Sequence, residues 1–250
     1  MENEKIIKFL FLILFNISIE DLYSCSYPLT RRLISGNYLL ICSNEINFYD
    51  ATLQYKIKEF SSPSCTGTCM YYTNSAQFLK EDGEYVIVGK NYNIYIFSKF
   101  GEFLSSQELG YLSSSTCYSI VPYGHSNNLY YFALMYISGK SIIFKNYRFN
   151  SLSNETSQFQ SFSYTTNITG NLNPENAISC SLMKYSNKNV ITCFYGSEYI
   201  YACTVFDPNN SFQTFTDLKT QFSSISEVGG THYRSEVMTE TMKKQLVVEV

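Results

Sequence analysis

The sequence predicts an all-β fold, an array of four-stranded antiparallel units, on three observations. The first is the stretch from Ile178 to Phe215, ISCSLMKYSNKNVITCFYGSEYIYACTVFDPNNSFQTF. It divides into strands over 178–185, 190–195, 199–206 and 211–215, separated by Asn, Gly, Ser, Asp and Pro, which tolerate positive φ or bond their own backbone in turns. The second is that this unit recurs earlier in the chain. The third is composition: 23 Tyr and 19 Phe beside many β-branched residues suit pleated, half-buried surfaces better than helices.

The recurrence is seen by laying Ser179-Cys180 over Thr68-Cys69 and Thr116-Cys117. Each dipeptide is followed by a polar turn (80–83; 124–128), an apolar second strand (85–89; 129–137) and a third strand rich in Ile, Tyr and Phe (92–97; 141–149). The cysteines are 48 and then 63 residues apart, and the excess is assigned to an insertion in the polar connection 150–175. A weaker first copy runs through 38–42, 46–50 and 54–60, with 25–34 as its first strand. Four-stranded units at a period of about 40 to 50 residues resemble the blades of the β-propeller superfamily, which stack because one twisted sheet cannot bury both faces alone. No named subfamily is matched, since the chain has no Trp and its Gly229-Gly230 pair does not recur. Meanders packed as a sandwich are the competing architecture.

Residues 1–24 place Lys5 and Lys8 before an apolar run from Phe9 to Phe15 and a polar exit, the pattern of a secretory signal peptide. Cleavage after Ser18 or after Ser24 is chemically acceptable. The run is too short for a membrane helix of about 20 residues. Residues 25–250 then form the propeller-like domain. Its last part, 232–250, matches the first two strands of a further unit, which 25–34 would complete into a closed ring of five or sequence beyond Val250 would continue; because 25–34 serves as the first copy's own first strand, continuation is expected, with the array open or incomplete. Membrane attachment would need that continuation or an uncleaved signal anchor.

A secretory route changes the reading of eight cysteines from metal or redox chemistry to disulfides. Cys180 and Cys193 lie on neighbouring strands, and Cys25 and Cys42 occupy the matching places in the first copy. Cys65 and Cys69 close a small loop, which leaves Cys117 and Cys203; the alternative for several of them is a buried free thiol. Asn154, Asn167 and Asn209 begin N-glycosylation sequons in polar connecting segments. Arg31-Arg32 reads as an exposed pair in a loop or a processing site.

Motifs for phosphate, dinucleotide, calcium or zinc binding are missing from the sequence, so no cofactor, metal or catalytic residue is assigned. The two histidines, His125 and His232, read as turn or loop residues. A net charge of −3 argues against nucleic acid, which calls for clustered Lys and Arg. With its signal, cysteines and sequons, the chain resembles the ectodomains of large protist surface proteins in composition. That resemblance implies a secreted or cell-surface module that binds a protein or glycan. A propeller-borne glycosidase is the rival reading, disfavoured because the predicted first strands 70–78, 117–121 and 178–185 hold no Asp or Glu. A structural repeat segment of a larger membrane protein is the third.

Overall fold

A computed structural model describes residues 29–42, 45–61, 75–90, 92–110, 112, 116–166, 178–185, 187–196, 200–214 and 225–226. Every regular element among them is a strand. The first sheet is a meander of β1 (Leu29–Arg32), β2 (Tyr38–Ile41), β3 (Glu45–Tyr49) and β4 (Lys56–Ser61). The second contains β5 (Ser75–Phe78), β6 (Tyr85–Lys90), β7 (Asn93–Ser98) and β8 (Phe103–Glu108). The third contains β9 (Tyr118–Ser126), β10 (Leu129–Ser138), β11 (Ser141–Asn150) and β12 (Glu155–Thr165). In the fourth, β13 (Ser179–Tyr185), β14 (Lys188–Gly196) and β15 (Ile200–Asp207) are followed by two short pieces, β16 (Gln213–Thr214) and β17 (Ile225–Ser226), both paired to β15. All pairings are antiparallel and, apart from that of β17 with β15, connect strands consecutive in the chain, as short turns allow.

The sheets share three apolar cores, each built from two neighbours in sequence. Leu39, Ile41, Ile46 and Phe48 of the first sheet meet Val86, Val88, Tyr95 and Phe97 of the second. Ile87, Ile94 and Ile96 on the other face of the second sheet meet Tyr118, Ile120, Phe132, Leu134 and Tyr147 of the third. Val121, Ala133, Met135 and Phe144 then meet Ile191, Cys193, Tyr195 and Phe206 of the fourth. This sandwiching explains why the middle strands read as apolar runs such as YVIVGK rather than as alternation. Successive residues point to opposite faces, and here both faces are covered. The outer strands β4 and β12 are mostly exposed and correspondingly polar, and β8 is half exposed.

Polar ties cross each of these junctions. Arg31 donates to the Ala76 carbonyl at 2.7 Å and lies over the Phe78 ring, while Ser35 donates to the Lys99 carbonyl. Ser105 and Thr156 share a 2.8 Å hydroxyl bond between β8 and β12. The Ser119 hydroxyl both accepts from the Cys180 amide and donates to its carbonyl, fastening β9 to β13 like an extra ladder rung.

Four expectations are corrected. Eleven residues of the presumed insertion 150–175 form the strand β12, whose Ser, Thr and Gln content reflects its exposed position at a sheet edge. Arg31 and Arg32 belong to β1, and Arg31 is half-buried against the second sheet, because its long stem and planar head fill the junction. His125 is near the end of β9, paired with Tyr130, and the turn contracts to Asn127-Asn128, where Asn127 takes the positive φ of 53°. Cys117 is disulfide-bonded whereas Cys203 is a buried free thiol, so these two do not pair with each other.

Candidate interaction surface

In an antiparallel meander the turns after the first and third strands lie at the same end of the sheet. The turns after the third strands share a construction. Asp50, which directly follows that strand in the first sheet, accepts hydrogen bonds from the Thr52 hydroxyl at 2.6 Å and from the Gln54 and Tyr55 amides. The Ser98 hydroxyl accepts from the Phe100 and Glu102 amides. Asn150 accepts from the Leu152 amide at 3.0 Å, and Asp207 from the Asn209 amide at 2.9 Å. An Asp, Ser or Asn at that place does the same work, substituting a side-chain oxygen for a backbone acceptor so that the chain reverses at once. The Asp50 carboxyl is accordingly held below its ordinary range, chiefly by the Thr52 hydroxyl, with the Tyr55 and Gln54 amides adding to the effect and desolvation opposing it.

These anchors project apolar side chains into solvent. Tyr55 is 70% exposed, Phe100 56% and Leu152 77%; Ile34, in the turn after β1, is 55% exposed. Unlike Leu53 and Phe212, which fold back from the same turns into the cores, Tyr55, Phe100 and Leu152 stay largely in solvent and form a rim on equivalent turns. Nearer the first strands the same end is charged: Lys80 pairs with Asp82 at 2.6 Å, Lys99 with Glu84 at 2.6 Å, and Lys184 lies 3.9 Å from Glu81. The shape is set by glycines. Gly101, at φ +80°, lies against the Phe48 ring, where a Cβ would come within 2.6 Å, and Gly83, at φ +65°, is covered by Ile34. The turns of the second sheet therefore seat directly on the first.

Cys180 and Cys193 face each other in the β13–β14 ladder with Cα atoms 4.1 Å apart and are joined by a disulfide. Such closeness is the property of a directly opposed pair on adjacent strands. Cys42, just beyond β2, is also disulfide-bonded. Cys25, Cys65 and Cys69 lie outside the described residues, as do Asn167, His232 and the segment 1–24. Asn154 is an exposed turn residue with φ 54°, immediately before β12, and Asn209 is exposed in the turn after β15. Both sequons thus sit at the end that carries the rim, on the third and fourth sheets. The first strands β1, β5, β9 and β13 contain no Asp or Glu. Among the described residues no group of three His, Cys, Asp or Glu is placed to hold a metal, and no helix is long and apolar enough to cross a membrane.

The shared turn anchors were hidden in the sequence because Asp50, Ser98, Asn150 and Asp207 are four residues of three kinds. Only their position at the end of each third strand reveals the equivalence.

Four-stranded meanders stacked face to face in chain order through three shared cores define a β-propeller-type array, unclosed among the described residues. No protein-family model matches the chain, and no curated protein matches it. Among solved structures it is similar to the WD40 domain of SCAP from fission yeast, with 11% identity and a TM-score of 0.48 over 80% of this chain and 45% of that one. It is also similar to Drosophila Plexin A in complex with Semaphorin 1b, with 15% identity and a TM-score of 0.41 over 73% and 40%. A quinohemoprotein alcohol dehydrogenase from Pseudomonas putida overlaps at 9% identity and a TM-score of 0.38, over 77% and 33%. The chain thus spans less than half the length of each. The assignment to the propeller class rests on the sheets and cores themselves; no subfamily follows from these overlaps.

Proposed function

We propose that this chain is a secreted or cell-surface binding module that recognises a partner protein through the turn end of its first two blades. The observation that carries this reading is the exposed apolar set Ile34, Tyr55 and Phe100, held on rigid side-chain-anchored turns beside a charged centre. Rigid loops with large side chains bind at low entropic cost, because little order has to be imposed on contact. Glycans on Asn154 and Asn209 would crowd the third and fourth blades at this end and leave the first two open. Secretion is supported by the apolar run after Lys5 and Lys8 and by the pairing of cysteines as disulfides.

Two measurements test this reading. Expressed in eukaryotic cells, the chain should appear in the medium or on the surface and lose apparent mass on endoglycosidase treatment; an unshifted cytosolic product would contradict it. The purified chain is then screened against a panel of cell-surface ectodomains and a glycan array. A protein ligand should be found, and the double variant Tyr55→Ser/Phe100→Ser should weaken its binding at least about 10-fold, the effect of truncating anchor side chains worth 1 to 2 kcal/mol. Turnover of glycosides without ligand binding would favour the hydrolase.

A further inference from the structure

Sheet edges attract other strands, and proteins blunt them with charges, prolines or bulges. The outer strands of this array differ in that respect. β4 reads KIKEFS, with three charges in six residues, and β8 ends in Glu108. β12 reads ETSQFQSFSYT: it is the longest strand described, lies at the edge of its sheet, and is uncharged and proline-free from Thr156 to Thr165. Its one irregularity is at Phe159, which is left over between the pairs Asn146–Gln160 and Tyr147–Gln158. Beyond that bulge the ladder to β11 is regular through Thr165, and Thr166 fixes its end by donating to the Lys140 carbonyl. This regular half lies away from Thr156, where the second blade touches β12 through Ser105.

We infer that the outer edge of β12, which pairs with no strand among the described residues, pairs with the same edge of a second copy of this chain, antiparallel about a two-fold axis through Ser163. The register follows from the side chains. Phe162 and Tyr164 are half-buried on the face shared with the fourth blade, against Phe212 and Phe206, while Ser161, Ser163 and Thr165 are exposed. Residues opposed across antiparallel strands lie on one face. Centring the pairing on Ser163 sets Phe162 against Tyr164 of the second copy on the aromatic face. Ser161 then meets Thr165, and Ser163 meets Ser163, on the exposed face. These are aromatic and hydroxyl pairs that favour sheet pairing, and no charge meets a like charge, as a self-complementary two-fold contact requires. The inference stands independently of the proposed ligand at the turn end.

A contact of this size falls below the roughly 1,200 Å² of a stable complex, so a dissociation constant of about 10 to 500 μM is expected. Sedimentation equilibrium of the full chain, with any N-glycan removed enzymatically, should show monomer and dimer only over that range. Ser163→Lys places two like charges at the axis, and Ser163→Glu does the same. Each variant should keep the wild-type circular dichroism spectrum and weaken self-association at least about 10-fold, while an equimolar mixture of the two should restore dimers, since opposite charges then meet. A wild-type chain that stays monomeric to about 1 mM, dimers unaffected by either variant, or assemblies growing past two copies would each overturn the inference.

Discussion

Cys203 shows how one position on a sheet decides the chemistry of a side chain. It stands one residue from Thr204, which is paired across from Cys193, so its thiol points to the face opposite the Cys180–Cys193 disulfide. Burial there disfavours the thiolate and pushes its pKa up to about 12. Above the usual thiol value of about 8.5 the folded state must hold a proton that the unfolded chain releases, so the native thiol is inert. In the native protein at pH 8, iodoacetamide should leave Cys203 unmodified, and denaturant should expose it to complete alkylation, read by peptide mass mapping. Rapid native labelling would contradict its placement. Gly101 makes the opposite demand, for space. Alanine there meets the Phe48 ring and must adopt φ +80°, and Gly101→Ala is expected to destabilise the fold by about 2 to 4 kcal/mol, read as a lowered urea midpoint.

At the scale of the element, the turns after the third strands bear the testable chemistry. The Asp50 carboxyl is depressed in the folded state, so its stabilising bonds are present above the unfolded carboxyl value of about 4 and are lost as pH falls through the lower folded value. Hydrogen exchange of the Gln54 and Tyr55 amides should therefore show protection that is lost as the pH is lowered below the unfolded carboxyl value, whereas Asp50→Asn, which keeps an acceptor oxygen but cannot titrate, should remove that pH dependence. Unchanged protection across the range would show that the carboxylate does not hold the turn. The strands themselves were legible where both faces are covered, since runs such as 85–89 and 129–137 announce buried strands. β12 was not, because a strand exposed at an edge is built from Ser, Thr and Gln, the residues of loops. The dipeptide Arg31-Arg32 misled for a related reason: charge suggested solvent, but Arg31 lays its stem along the second sheet.

At the scale of the whole molecule, the period of the cysteines revealed the blades, and the alternate faces of each strand set their order. The third and fourth blades meet through the aromatic cluster of Phe144, Phe206 and Phe212, with ring centroids 4.8 Å apart in each contact with Phe144. The cluster is not legible in the sequence, because sequence pattern tells which residues are buried but not which sheet they face. Consecutive sheets stack face to face as successive blades rather than closing into a two-layer sandwich, and this arrangement is open to a direct test. Ser105 and Thr156 test it most directly, since their hydroxyls are 2.8 Å apart although they lie on the outer strands of two different sheets. Replacing both by cysteine and oxidising mildly should give an S105C–T156C crosslink in the monomer, identified by peptide mass mapping, with wild-type circular dichroism retained. Two free, readily alkylated thiols at 105 and 156 in a folded protein would contradict the blade arrangement.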